Sequence, residues 1–98
     1  MSESILTPAA ANIFEDLGFP AEEAAHLIIR ADLMLEIRRR IETQHWTTEQ
    51  SAERFNMSGD RIEALLKGKI GEFTTEQLIA MLSRSGMKVR LEVLPEAA

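Results

Sequence analysis

Two short helices joined by a tight turn are predicted by residues 48–67, which read TEQSAERFNMSGDRIEALLK. The small residue Ala52 stands where two crossing helices would approach each other. Asn56 stands where the turn needs a positive φ, which asparagine tolerates better than most residues. The positions that such a pair keeps apolar are Phe55, Met57, Ile62 and Leu65. The segment therefore predicts one short helix mounted on another.

Capping signals set the boundaries of these helices and of one that follows. Thr47 precedes an acid and an amide, which predicts a capped helix ending near Phe55. Ser58 or Gly59 begins the second helix, which closes at Lys67-Gly68. The same signal, Thr-Thr-Glu-Gln at residues 74–77, predicts another helix that ends at Gly86.

Two further helices are predicted upstream. Thr7-Pro8 is a typical start for a short first helix, and Gly18 is a typical end. Pro20 begins a long helix that reaches about Gln44 without an internal glycine or proline. Its apolar arc is wider than one neighbour requires, which indicates either burial under the first helix or a surface for another chain.

The C-terminal segment changes period. Residues 88–93 alternate charged and apolar side chains, as in a half-buried strand, and no other segment predicts a strand to pair with it. Antiparallel pairing with a second copy, centred on Leu91, would place Arg90 opposite Glu92. The predicted dimer interface is Val89, Arg90, Leu91, Glu92 and Val93. The alternative is a frayed tail that ends at Pro95.

Composition limits the function. The 98 residues suit one core, and with no cysteine the chain has no disulfide or thiol nucleophile. Residues 1–8 do not resemble a secretion signal, and no apolar run approaches the ~20 residues of a membrane span, so we expect a soluble cytoplasmic protein. The net charge is −5, but residues 1–36 carry seven acids against Arg30 alone. The remainder is close to neutral and can present a basic face.

No catalytic or metal site is predicted. His26 and His45 lie about five helical turns apart, and neither has a second ligand at helical spacing. No Ser-His-Asp set and no phosphate-binding glycine loop can be assembled, so we expect neither an enzyme nor a cofactor.

Trp46 is interpreted as a packing residue. The run 38–40, Arg-Arg-Arg, is interpreted as a solvated helix end that complements the helix dipole, with DNA contact as the alternative.

Several segments carry a resemblance in their order and spacing. They are Phe14-Glu-Asp-Leu-Gly-Phe19, Arg30-Ala-Asp-Leu-Met34, Thr47 through Leu66, Gly68-Lys-Ile-Gly-Glu-Phe-Thr74 and Leu78-Ile-Ala-Met-Leu82. The chain resembles Xre-type regulators with the phage-repressor fold, and in particular the subgroup that contains HigA-like antitoxins. The likeness implies a dimer that binds a double-stranded operator and represses transcription, often of its own operon and sometimes together with a toxin partner.

The resulting prediction is an all-α, five-helix, phage-repressor-like helix-turn-helix domain with a C-terminal strand that pairs across a dimer. Residues 1–19 form a short helix or arm, residues 20–86 form the domain with its motif at 48–67, and residues 87–98 form the strand and tail. The second helix of the motif would enter the major groove by its N-terminal end. Its outer face is predicted to comprise Ser58, Gly59, Asp60, Arg61, Glu63, Ala64 and Lys67.

The resemblance extends the candidate DNA contacts to the first helix of the motif. Relatives commonly begin that helix with Thr-Gln, whose amide holds a phosphate, whereas Thr47 is followed here by Thr48. Lys69 and Arg54 are candidates for further backbone contacts. The predicted DNA-binding set is Thr47, Thr48, Ser58, Gly59, Asp60, Arg61, Glu63, Lys67 and Lys69. The alternative function is a protein-interaction module, or an antitoxin that neutralises a toxin, with weak or absent DNA binding.

Overall fold

The computed structural model describes residues 17–93 and 95, which form four α-helices and no strand. The helices are α1 (Ala21–Gln44), α2 (Thr48–Phe55), α3 (Gly59–Leu66) and α4 (Thr75–Arg84), with a 3-10 turn at Ile70–Glu72. These four match the predicted second to fifth helices. The predicted first helix lies outside the described residues apart from its end, where Gly18 adopts the expected positive φ of 99°.

The predicted capping signals are confirmed at three helix starts. The Thr47 hydroxyl accepts a hydrogen bond from the Gln50 backbone N–H, and the Gln50 side chain accepts one from the Thr47 N–H. Thr74 and Gln77 form the same reciprocal pair at the start of α4. Ser58 accepts from the backbone N–H of Arg61 at the start of α3. Local side chains therefore fix where the helices begin.

The turn between α2 and α3 is closed by a left-handed residue. Asn56 has φ 57° and ψ 52°, as its position in the motif predicts. Its backbone N–H donates to the Glu53 carbonyl, and the next N–H, from Met57, reaches back to the Ala52 carbonyl at 2.9 Å. These two bonds satisfy carbonyls that the end of a helix leaves unpaired. Only three residues, 56–58, therefore connect α2 to α3.

The core lies between α1 and the three shorter helices. The long helix α1 packs along α4 and also contacts α3 and the 3-10 turn. The largest side chains with almost no exposed surface are Phe55, Phe73, Ile37, Ile62, Leu78 and Met81. Trp46 packs as predicted, because its indole meets the Phe55 ring edge to face with centroids 5.8 Å apart. The motif is thus held from behind by α1 and α4.

The interpretation of residues 38–40 as solvated is confirmed for Arg38 and Arg39, which are exposed, but Arg40 is half-buried and none of the three lies in the last turn of α1. Arg38 donates to the Leu66 carbonyl at 2.9 Å, at the C-terminus of α3. Arg40 donates at 2.9 Å to the Ser85 carbonyl just after α4. A guanidinium satisfies such carbonyls and complements the negative end of the helix dipole, so these arginines stabilise the ends of other helices instead of their own.

The C-terminal residues 87–93 have no regular secondary structure in the single chain. Val89 packs against the core, whereas Leu91 is 60% exposed and Val93 is 94% exposed. In an extended segment these three side chains share one face. The predicted strand does not form within one chain because no described segment offers an edge to pair with it.

Among the described residues, no helix is both long enough and apolar enough to span a membrane.

Candidate nucleic-acid interface

One side of α3 is held against the protein and the other side is open. Ile62 and Leu65 are buried in the core beneath the helix. Asp60, Glu63 and Lys67 are exposed, and their spacing of three and four residues places them on one side of the helix. We call Asp60, Glu63 and Lys67 the free face of α3. Nothing else in the described chain covers this face, so a partner can approach it from solvent.

The N-terminal ends of α2 and α3 lie side by side. A Cβ built on Gly59 would lie 3.9 Å from the Cγ2 atom of Thr48, which is an ordinary van der Waals contact. Thr47 and Ser58, the two capping residues, are exposed at these ends. Each hydroxyl already accepts a backbone hydrogen bond but keeps its own proton to donate. The structure therefore brings together four of the predicted contacts.

Arg61 is held by the protein and does not extend freely from α3. Its guanidinium carbon lies 4.2 Å from the centroid of the Phe73 ring, and its Nη2 donates to the Gln77 side chain at 3.3 Å. The side chain is only half-exposed. The prediction that Arg61 contacts DNA remains a prediction. A contact would use the remaining guanidinium donors from this fixed position.

One residue assigned to the outer face of α3 is placed elsewhere. Ala64 is only 8% exposed and belongs to the core cluster. Its burial follows from the contacts of α3, which packs against both α1 and α2 and so leaves a narrower open side than a helix with one neighbour. Sequence spacing alone placed Ala64 beside Arg61 and Lys67. The assignment to the outer face was wrong.

The unengaged basic side chains near the motif are lysines. Lys67 and Lys69 are exposed, and neither side chain makes a hydrogen bond or an ion pair within the described part of the chain. Arg54 is exposed but lies over the Trp46 ring, 5.3 Å from its centroid. Arg84 donates to the Phe55 carbonyl at 3.2 Å, at the end of α2. The arginines thus make largely structural contacts, whereas the side chains of Lys67 and Lys69 remain available to bind an anion.

Sequence reasoning missed the residues that position the motif from outside it. Phe73 and Gln77 hold Arg61, and Arg38 binds the last turn of α3. The capping signal had identified Gln77 only as a partner of Thr74. The second use of its carboxamide oxygen joins residues 16 positions apart, which no local pattern reveals.

In the described residues, no three His, Asp or Glu side chains are grouped so that they could hold a metal ion.

Comparison with known families identifies the type of domain independently of its geometry. A family model described as a helix-turn-helix domain matches residues 13–94, which is most of the chain. No curated protein and no solved structure matches the chain. The matched range includes α1 to α4 and the segment that follows them. DNA-binding regulators place such a two-helix unit against the major groove. Because the match covers most of its length, the chain belongs to the helix-turn-helix domain family.

Proposed function

We propose that the chain is a sequence-specific DNA-binding regulator of the Xre type, which represses transcription from an operator as a homodimer. The observation that carries the proposal is the free face of α3, open to solvent while Ile62 and Leu65 anchor the opposite side. A helix mounted in this way can enter a major groove without rearrangement of the core. The proposed role is binding alone, in the cytoplasm, with no catalytic step.

The charge distribution supports local rather than general attraction to DNA. The net charge of −5 disfavours nonspecific binding along any duplex. Lys67 and Lys69 supply positive charge at the C-terminal end of α3, and the Thr47 and Ser58 hydroxyls supply donors at the N-terminal ends of α2 and α3. Phosphates on both sides of the groove would then fix the position of α3, while its free face meets the bases.

The proposed homodimer rests on the C-terminal segment. Leu91 and Val93 are exposed apolar side chains that a second copy would cover if the two segments paired antiparallel about Leu91. A two-fold dimer presents two copies of α3 to one duplex, so the operator would be a palindrome with half-sites about one helical turn apart, roughly 34 Å. Dimerisation would also double the number of phosphate contacts, which compensates for the few cations on each chain.

A mobility-shift assay with the DNA upstream of the chain's own gene tests the proposal. We expect a discrete complex that survives an excess of unrelated duplex, and whose affinity falls steeply as salt concentration rises. The same fragment with its palindrome scrambled serves as the control. Equal binding to both fragments, or no complex at low salt, would contradict sequence-specific regulation.

A second candidate, an antitoxin of the HigA type, is favoured by two features that involve residues other than those of the free face of α3. Residues 1–36 carry seven acids against one base, which complements a basic partner such as many ribonuclease toxins would present. An apolar groove of about 380 Å³ runs between α1 and the segment after α3, lined in part by Leu35, Leu65 and Ile70. Co-expression of the chain with the product of the neighbouring gene tests this candidate. An antitoxin would form a stable complex with that product and would restore the growth of cells that produce it.

A further inference from the structure

The free face of α3 is acidic where the proposed function places DNA bases. Asp60 and Glu63 occupy it together with Lys67, and Arg61 between them is held on Phe73. Asp60 has a structural role, because a carboxylate in the first turn stabilises the positive end of a helix. Glu63 lies beyond that turn and has no such role. On the surface that is proposed to meet DNA, its carboxylate would lie close to phosphates.

The Glu63 side chain also has no partner within the described part of the protein. Lys67 stands four residues later, the spacing at which Glu and Lys commonly pair on a helix. Ion pairs among the described residues join Arg38 with Glu42 and Arg39 with Glu36, and Glu63 belongs to neither. Its carboxylate is exposed, whereas its chain neighbours Ile62 and Ala64 are buried. Burial of these two neighbours directs position 63 away from the core.

A carboxylate in a DNA groove is repelled by the phosphates, and a hydrogen bond accepted from a base offsets that repulsion. An ionised glutamate has acceptors only, so its base partner must offer a donor. In the major groove, cytosine offers its N4 amino group, and adenine offers N6 next to the acceptor N7, which repels a carboxylate. Guanine and thymine offer acceptors or a methyl group. Cytosine is thus the base from which a glutamate at this position accepts a hydrogen bond.

We propose that Glu63 reads a cytosine in each operator half-site and is the residue that determines specificity at that base pair. The proposal rests on the proposed function, since it assigns a base to a surface that must first meet DNA. The cytosine amino group donates to a Glu63 carboxylate oxygen, which offsets the repulsion from the phosphates. Any other base leaves the carboxylate unpaired and weakens binding.

Selection of binding sites from randomised duplexes, followed by affinity measurements, tests this assignment. The full chain is compared with Glu63→Gln, and Glu53→Gln serves as a matched control that removes the same charge from the exposed surface of α2. We expect the parent chain and Glu53→Gln to select cytosine at one position per half-site. Glu63→Gln should shift that position to adenine, because an amide pairs with N6 and N7. Replacing the cytosine should weaken parent binding about fivefold or more.

The outcomes separate the two proposals. If the parent chain enriches a sequence and Glu63→Gln enriches the same one with unchanged affinity for each base, the role of Glu63 is refuted while DNA recognition stands. If the parent chain enriches no sequence, the proposed function fails and the assignment fails with it. Because Glu63 and Glu53 are both exposed, we expect the three proteins to melt at the same temperature. Equal melting temperatures would show that a difference in DNA binding does not come from a difference in folding.

Discussion

The guanidinium of Arg61 stacks on the ring of Phe73, with its carbon 4.2 Å from the ring centroid. Phe73 is almost fully buried and precedes α4, so the contact ties the exposed helix α3 to the start of the helix that supports it. The Gln77 side chain completes the link by accepting from Arg61 while it caps α4. A residue expected to face DNA is therefore also part of the framework of the motif.

Replacement of Arg61 should cost stability as well as binding. Arg61→Ala removes a cation–π interaction and a hydrogen bond, and we expect the free energy of unfolding to fall by about 0.5–1 kcal/mol. Urea denaturation measures this change. Lys69→Ala is the matched control, because it removes an exposed cation that has no partner in the described chain. Equal decreases for the two variants would mean that the stacking contributes nothing.

The left-handed turn residue gives a second prediction. Asn56→Ala keeps the rest of the helix-turn-helix sequence but places alanine, which tolerates the left-handed region less well than asparagine, at φ 57°. We expect a decrease of about 1 kcal/mol in the free energy of unfolding, and little or no decrease for Asn56→Gly. Thermal denaturation of both variants distinguishes backbone strain from removal of the amide. Equal destabilisation by alanine and glycine would point to the side chain instead.

Stability should depend on the ionisation of Asp32. Partial burial raises the pKa of its carboxyl, the nearby Glu36 raises it further, and Arg39 lowers it. The folded state then holds the proton more tightly than the unfolded state, so Asp32 disfavours folding once pH rises through its folded pKa. Asp32→Asn should raise the free energy of unfolding at pH 7. This gain in stability should shrink as pH falls toward 3.8, the ordinary pKa of an aspartate carboxyl.

Urea denaturation across pH tests this sign, and Glu53→Gln controls for the change in net charge. A variant that is no more stable than the parent at pH 7, or whose gain grows in acid, would show that burial of Asp32 carries no penalty.

The dimer prediction depends on Leu91. Leu91→Asp would place two carboxylates at the proposed two-fold axis, so we expect a dimeric parent to become monomeric by light scattering. Leu35→Asp is the control, because Leu35 is 42% exposed but lies on α1. If Leu35→Asp dissociates the dimer and Leu91→Asp does not, the copies associate through α1 and the strand hypothesis is wrong.

The parts of the fold that sequence predicts well are those that neighbouring residues determine. The caps at Thr47 and Thr74, the turn at Asn56 and the end of α1 at Gln44 all agree with the structure. Each depends on residues within about one helical turn, which a sequence pattern contains directly.

The features that sequence alone does not determine depend on distant contacts. Arg38 and Arg40 bind carbonyls 28 and 45 positions away, and a run of three arginines gives no indication of such partners. Ala64 is buried because α3 has two neighbours, a property of the assembled helices. The alternation at residues 88–93 describes a strand only if a second chain supplies the pairing edge, so a single chain leaves it irregular.

The most direct test of DNA binding through α3 is the salt dependence of affinity for the upstream fragment, measured by fluorescence anisotropy. Lys67→Ala combined with Lys69→Ala is compared with the parent and with Lys88→Ala, which removes an exposed lysine outside the motif. We expect weaker binding by the double variant, with a log–log slope less steep by about 0.9 for each phosphate that the protein no longer neutralises. Parent-like affinity and slope in the double variant would contradict DNA binding through α3.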